Sequence, residues 1–185
     1  QYSFYDCENL TEVSIPSSVK AIGYEAFHWC PNVGKVMIDG LESWCDIDFD
    51  NENSNPLQFG ADLYINGVKE TQIKIPEGIT EMKPYVFGRS WTNDETKSVL
   101  TSIQLPDTVT SIGENAFAYN HLQNINIPNS VTEIGAYAFA GNDFSAIEIS
   151  ENVTTIGQRA FYECKNLRRI KIPDAAQKLG GGLFS

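Results

Sequence analysis

A motif of the form Ile-Pro, Val, Ile-Gly and Ala-Phe recurs along the chain at nearly constant spacing. The position held by proline in Ile127-Pro128 returns at residues 106, 128, 150 and 173, with steps of 128−106 = 22, 150−128 = 22 and 173−150 = 23. Such self-similarity is typical of a solenoid, in which each repeat buries its apolar face against its neighbours. The functional question therefore concerns extended binding surfaces, because solenoids rarely carry catalytic pockets.

One repeat, Leu122 to Asn142, shows how each unit is expected to fold. Ile125 and Ile127 are two residues apart, so both side chains face the core from one side of a strand. Pro128 lacks an N–H and is expected to end that strand. The Ile-Gly and Ala-Phe motifs that follow predict a second, tighter crossing and then a short helical or 3-10 turn.

The phenylalanine of the motif is expected to form a continuous internal ladder along the stack. Its members are Phe4, Phe27, Phe87, Phe117, Phe139, Phe161 and Phe184. Stacked strands lie roughly 4.8 Å apart, so the rings of successive repeats should touch.

Small polar or sulfur-containing residues recur three positions after each phenylalanine. They are Cys7, Cys30, Ser90, Asn120, Asn142 and Cys164. An asparagine there can bond to turn carbonyls, and a buried cysteine acts as a compact apolar residue with a weak donor. Cys7 and Cys30 are predicted to be reduced neighbours in this ladder, with a disulfide or a metal site as the alternative.

Two segments interrupt the repeat. Residues 40–70 are interpreted as a small antiparallel β-hairpin insertion, because residues 44–50 alternate like a strand and Asn66-Gly67 is a strong hairpin signal. Asp46, Asp48 and Asp50 resemble the start of a calcium loop, but the glycine and glutamate that such a loop requires are missing, and a solvated strand face explains them. Residues 88–99 are interpreted as a polar loop insertion containing Trp91, either packed or an exposed contact.

The charge of the chain argues against some classes of partner. With 24 acidic and 13 basic residues, the net charge is −11, which disfavours nucleic acid and anionic membranes. One local exception is a basic cluster of Lys165, Arg168, Arg169 and Lys171. It is interpreted either as a patch that binds an acidic ligand or as the polar face of a terminal strand.

The outward columns of the predicted strands are mostly small and polar and show no aromatic anchor. Better candidates for ligand contacts follow the phenylalanine ladder or lie in the insertions. They are Trp29, Trp44, Tyr64, Trp91, Tyr119 and Tyr162, with Arg168, Arg169 and Lys171 as the basic candidates. Trp29 and Tyr162 could equally be ridge residues packed on their neighbours.

Nothing in the sequence points to an enzyme. The two histidines, His28 and His121, fall at loop or ridge positions, and no nucleophile, zinc or phosphate-loop motif is found. No cofactor, metal site or catalytic residue is therefore predicted.

The repeated pattern I-P-x-x-V-x-x-I-G-x-x-A-F closely resembles the BspA-like leucine-rich repeats (LRR_5 type) of bacterial surface proteins. The resemblance implies a right-handed leucine-rich-repeat solenoid, an α/β-type repeat with short parallel strands, and secretion or cell-surface display. It also implies adhesion to an extracellular protein of a host or another microbe. A structural spacer and a carbohydrate-binding module are the alternatives.

The chain begins and ends inside repeat units. It is therefore expected to be one solenoid domain over residues 1–185, taken from a longer protein, and a monomer.

Overall fold

Two columns of short parallel strands run along the molecule in the computed structural model, which describes residues 1–90 and 100–184. In chain order the strands are β1 (Glu12–Ile15), β2 (Ala21–Ile22), β3 (Lys35–Ile38), β4 (Asp48–Phe49), β5 (Asp62–Ile65), β6 (Val68–Glu70), β7 (Gln72–Lys74), β8 (Glu81–Met82), β9 (Ser102–Gln104), β10 (Ser111–Ile112), β11 (Glu133–Ile134), β12 (Ala146–Glu148), β13 (Thr155–Ile156), β14 (Arg169–Lys171) and β15 (Lys178–Leu179). The longer column contains the sheets β1-β3-β5-β6, β7-β9 and β12-β14. The shorter column contains β2-β4 and β8-β10-β11-β13-β15.

This architecture confirms the predicted solenoid of stacked parallel strands, and it is a β-solenoid with little helix. In the part of the chain that the structure describes, helix is limited to α1 (Leu41–Cys45) and a 3-10 turn (Glu52–Ser54). The Ala-Phe segments, predicted as short helical turns, are hydrogen-bonded turns instead. Each contains residues with positive φ, such as Tyr137 (54°) and Gly141 (66°), and a right-handed helix cannot continue through that conformation.

The strand register confirms the columns read from the repeat period. Glu12 pairs with Lys35 in the first sheet, and Ala146 pairs with Arg169 in the last. One coil departs from the expectation. Residues 121–128 form no strand, although Ile127 still points into the core and is 5% exposed.

The phenylalanine ladder exists, but in two pieces. Phe4 stacks on Phe27 with ring centroids 5.0 Å apart. The second piece runs through Phe87, Phe117, Phe139, Phe161 and Phe184, with successive centroids 6.2, 5.6, 5.6 and 6.3 Å apart. Between the two pieces the core contains non-repeat residues, among them the fully buried Leu57.

The polar ladder follows the phenylalanines and satisfies the turn carbonyls. Asn142 Nδ2 donates to the carbonyls of Phe117, Phe139 and Ala140 at 2.9, 3.0 and 3.3 Å, and its Oδ1 accepts from the Leu122 N–H. In the next coil the Cys164 thiol donates to the Phe139 carbonyl at 3.3 Å.

Cys7 and Cys30 are both free thiols in this ladder. Cys30 Sγ lies 2.9 Å from the Phe4 carbonyl, so it makes a bond to the neighbouring turn like that of the asparagines.

The glycine of each Ile-Gly pair permits the coils to approach one another. A Cβ on Gly157 would lie 2.4 Å from Ala136 N, and one on Gly135 would lie 2.6 Å from Glu114 N. Real Cβ atoms do not come this close to backbone, so any larger residue would push the coils apart.

Only the end of residues 40–70 forms the antiparallel β-hairpin that the sequence predicts for this insertion. Helix α1 and strand β4 continue the solenoid, since β4 pairs parallel with β2 and β5 pairs parallel with β3. The antiparallel pairing is confined to β5 and β6, across Asn66 and Gly67, which have φ of 50° and 81°. The segment therefore adds a coil to the stack, with a short hairpin at its end.

Side chains bridge the junction after this added coil, because among the described residues no strand of the short column pairs across it. Lys83 occupies the position of the repeat glycine, and its Nζ donates to the Asp46 carbonyl at 2.6 Å and to Asp48 Oδ1 at 2.7 Å. Arg89, 5% exposed, donates to the carbonyls of Leu57 and Ala61. The lysine thus occupies a space that in the regular coils is closed by backbone contact.

Candidate functional site: an aromatic turn face

Most tyrosines of the chain are gathered on one edge of the solenoid. We call this edge the turn face. It runs in each coil from the position of the repeat glycine to the small polar or cysteine position after the phenylalanine, and it comprises residues 1–7, 23–30, 83–90, 113–120, 135–142 and 157–164. Seven of the chain's eight tyrosines lie in these segments, and so does Trp29. Aromatic side chains with a polar tip are enriched at binding surfaces, because one end buries apolar area and the other hydrogen-bonds.

The backbone of these turns is unusual, since bulky residues adopt left-handed φ in successive coils. They are Tyr2, Glu25, Tyr85, Asn115, Tyr137 and Arg159 at one position and Asp6, Trp29, Tyr119 and Glu163 four residues later. The conformation costs a non-glycine residue roughly 1–2 kcal/mol. Bonds between coils offset it: the Tyr137 N–H donates to the Gln158 carbonyl at 3.0 Å, and the Gly141 N–H to the Tyr162 carbonyl at 2.7 Å.

Trp29 is the most exposed aromatic side chain on the turn face, at 58%. Its ring stacks on His28 with centroids 5.5 Å apart and an interplanar angle of 7°. His28 also meets Tyr5 edge to face at 5.5 Å, while Tyr2 contacts both Tyr5 and Tyr24 at 5.6 and 5.8 Å. We call these five residues the tryptophan cluster, which gives Trp29 a rigid support and leaves much of its surface in water.

A second group of rings lies further along the same edge. We call Tyr85, Tyr119, Tyr137 and Tyr162 the tyrosine patch. Tyr137 and Tyr162 meet edge to face at 6.1 Å. The Tyr119 ring covers Gly141, where a Cβ would come within 2.3 Å of Tyr119 Cδ1, so the neighbouring coil needs a glycine to accommodate this ring.

The phenols of Tyr85 and Tyr119 keep their protons. Burial, with the nearby Glu163 carboxylate, raises the pKa of Tyr119 to about 12. Burial and the charge of Glu114 likewise raise the pKa of Tyr85 to about 12. Both hydroxyl groups are therefore hydrogen-bond donors at neutral pH.

The aromatic residues predicted in the insertions have different locations. Trp44 is 1% exposed, and its Nε1 donates to the Val86 carbonyl at 2.9 Å. The prediction of Trp44 as a surface contact is therefore wrong, because its indole fills the core of the added coil. Tyr64 is half-buried beneath Lys35, whose Nζ lies 5.2 Å from the ring centroid. Trp91 and residues 92–99 lie outside the described residues.

The predicted basic residues are exposed and divide between two settings. Lys171 pairs with Glu151. Arg169 lies on the outward face of β14. Arg168 lines an open polar groove of about 440 Å³, together with Gln123, Asp143, Ser145 and Asn166.

The sequence analysis did not predict this groove. His121 Nδ1 lies 2.7 Å from Asp143 Oδ2, and Asn166 Nδ2 lies 3.4 Å from Asp143 Oδ1. Ser145 and Arg168 come just before β12 and β14, and Gln123 has the matching repeat position in the coil without a strand. This recurring polar position is the signal that could have indicated the groove.

The other reactive groups have structural roles. Asp46 pairs with Lys20 at 2.9 Å, a contact that holds the pKa of Asp46 below its ordinary value. Burial raises the pKa of Cys45 to about 12 and that of Cys164 to about 11. Such thiols carry almost no thiolate at neutral pH.

Metal and membrane features are equally limited. Within residues 1–90 and 100–184, no three metal-ligating side chains come together, and no helix is long and apolar enough to cross a membrane.

The repeats of this chain match a known family of repeat proteins. A family model described as BspA type leucine rich repeat region matches six copies over residues 1–93 and 94–185. A leucine-rich repeat protein from Bacteroides ovatus is 30% identical over 96% of this chain and 37% of its own, with a TM-score of 0.49. No curated protein is significantly similar to the chain.

Two further solved structures are similar. A leucine rich cell surface protein from Faecalibacterium prausnitzii is 20% identical over 95% of this chain and 64% of its own, with a TM-score of 0.42. The pneumococcal vaccine antigen PcpA is 16% identical over 94% of this chain and 55% of its own, with a TM-score of 0.55, and it shares the fold. The chain thus spans between 37% and 64% of the length of these structures.

Proposed function

The chain belongs to the BspA-type leucine-rich repeat family, and we propose that it is a protein-binding module displayed at a bacterial cell surface or secreted, which engages an extracellular protein through its turn face. Display outside the cell is supported by the name of one similar structure, a leucine rich cell surface protein. Adhesion to a host or microbial surface protein is the activity that such display would serve.

The single observation that carries this proposal is the tryptophan cluster. Tryptophan and tyrosine are enriched among the residues that dominate binding energies at interfaces. Trp29 exposes 58% of its surface while stacked on His28, so it offers a large contact area and loses little side-chain freedom on binding. Among the residues that the structure describes, the outward strand face lacks such an anchor, apart from Tyr64, whose ring already lies beneath Lys35.

The test is a binding screen of the purified chain over immobilised extracellular-matrix proteins, bacterial surface proteins and a glycan array. We expect saturable binding to a protein, weakened roughly tenfold or more by Trp29→Ala, as for an interface hot spot. Val68→Ala is the matched control, because Val68 is 59% exposed but lies on the hairpin strand β6. Circular dichroism and the unfolding midpoint would show that both variants are folded.

The other outcomes lead to different functions. Binding to a glycan that is lost in the Trp29→Ala variant would indicate that the ligand is a carbohydrate and not a protein. If Trp29→Ala and Val68→Ala weaken binding equally, the tryptophan cluster is not the binding site. No binding to any immobilised protein or glycan would favour a structural spacer, in which the coils hold another domain at a distance.

A further inference from the structure

The tyrosine patch already holds one guanidinium, that of Arg159. Its Nη1 donates to the Tyr137 hydroxyl oxygen at 2.6 Å, and its central carbon lies 5.8 Å from the Tyr137 ring centroid and 5.4 Å from that of Tyr162. A cation within about 6 Å of a ring face is attracted by the ring quadrupole. Arg159 is exposed, so the rings hold this cation at the surface without burying it.

The charge around the patch favours further cations. The carboxylates of Glu52 and Glu163 lie near enough to Tyr119 to raise its pKa, and Glu114 acts on Tyr85 in the same way. None of these three carboxylates forms an ion pair with a cation of the described residues. The patch therefore presents three acids that have no ion-pair partner among the described residues, beside one guanidinium, on a chain whose net charge is −11.

We propose that the tyrosine patch receives arginine side chains of the partner protein, with the rings stacking on each guanidinium and Glu52, Glu114 and Glu163 pairing with it. The proposal rests on the function above and specifies the chemistry of the partner: an exposed segment rich in arginine. Arg159 shows the contact within the chain itself.

Arginine rather than lysine is the expected partner residue for a geometric reason. The guanidinium is planar and weakly hydrated, so it stacks on a ring and still donates to a carboxylate, whereas the ammonium of lysine is a compact, strongly hydrated point charge. A neutral saccharide would also stack on tyrosine rings and donate its hydroxyl hydrogens to the carboxylates, but it brings no positive charge to offset the three acids.

The test uses two fluorescein-labelled peptides, one of nine arginines and one of nine lysines, titrated with the chain and followed by fluorescence anisotropy at two salt concentrations. We expect the arginine peptide to bind several-fold more tightly than the lysine peptide. Tyr137→Leu with Tyr162→Leu removes the rings but keeps apolar volume, and should reduce this preference towards unity.

A charge-matched pair of variants separates the patch from general attraction to an acidic protein. Glu114→Gln with Glu163→Gln should weaken arginine-peptide binding roughly tenfold or more, since charge pairs contribute on this scale. Glu77→Gln with Glu133→Gln changes the net charge equally, from −11 to −9, at exposed sites outside the turn face. This control should have a much smaller effect.

Three results would overturn the proposal. Equal affinity for the two peptides would mean that stacking on the rings does not contribute to binding. Equal weakening by the two pairs of glutamate variants would mean that only the net charge of the chain matters. Competition by a neutral oligosaccharide that is lost in the Tyr137→Leu, Tyr162→Leu variant would assign the patch to carbohydrate.

The two proposals can fail separately. If the screened partner depends on Trp29 while its binding is unchanged by the glutamate and tyrosine variants of the patch, the inference fails and the binding function stands. If no surface protein binds, but the arginine peptide depends on the patch, the cation chemistry stands and the proposed function fails.

Discussion

The regular coils from residue 100 onwards and the coil added by residues 40–70 solve the same packing problem in different ways. In the regular coils, identical residues meet across the stack: phenylalanine on phenylalanine at 5.6 Å, and glycine against the backbone of the preceding coil. In the added coil a tryptophan, a leucine and buried amides fill the interior, and Lys83 replaces the glycine contact. A repeat can thus change in length provided that the core is refilled and the backbone groups are satisfied.

The largest effect should come from the regular ladder. Phe117 is fully buried between Phe87 and Phe139. Phe117→Ala should lower the free energy of unfolding by roughly 3–5 kcal/mol, through lost transfer energy and the cavity left behind. Phe4→Ala is the comparison, because Phe4 is 46% exposed and stacks only on Phe27 among the aromatic contacts described.

Urea unfolding followed by circular dichroism would measure both variants. We expect Phe4→Ala to cost less than half as much as Phe117→Ala. An unchanged midpoint for Phe117→Ala would contradict the stacked-ring description of the core.

A smaller loss is expected where a coil meets its neighbour through glycine. A Cβ on Gly157 would lie 2.4 Å from Ala136 N and 2.5 Å from Gly135 C. Gly157→Ala should therefore destabilise the chain by about 1–3 kcal/mol, as overpacked sites do.

Gly34→Ala is the matched control for this prediction. The nearest atoms to a Cβ there are backbone oxygens 3.9 Å away, so this variant should be neutral or stabilised by about 0.4–1 kcal/mol through the unfolded chain. Thermal unfolding of the two variants side by side decides the matter, and equal midpoints would mean that the coils can separate without cost.

Much of the regular stack could be predicted from the sequence, because one period repeats. The pairing of Glu12 with Lys35 and of Ala146 with Arg169 follows from counting between motifs. The added coil could not be predicted in this way. Cys45, Ile47 and Phe49 alternate as in a strand, and short apolar runs do not distinguish strand from helix.

The candidate site was predictable in part. Trp29, Tyr119 and Tyr162 follow the phenylalanine ladder in the sequence and lie on the turn face. Trp44 was wrongly predicted as a contact because its partner, the Val86 carbonyl, is 42 residues away and no local pattern indicates it. The role of Arg159 also depends on how neighbouring turns stack, since it contacts Tyr137 from the preceding coil.

The smallest effect concerns the junction itself. Lys83 Nζ lies 2.7 Å from Asp48 Oδ1 and 3.6 Å from Asp46 Oδ1, and its side chain is 24% exposed. Lys83→Met keeps the stem but removes the charge, and should cost about 0.2–1 kcal/mol, since partly exposed ion pairs contribute little. The loss should shrink at high salt, where such pairs are screened.

Lys83→Gly gives this last prediction its sharpest form. The repeat motif alone favours glycine here and would predict a more stable chain. The structure predicts the opposite, because the space that the lysine stem fills at the junction would be left open, with the Asp46 carbonyl losing its donor. We therefore expect Lys83→Gly to be less stable than Lys83→Met in urea unfolding at both low and high salt. A gain in stability on restoring the glycine would mean that the added coil can close onto its neighbour as the regular coils do.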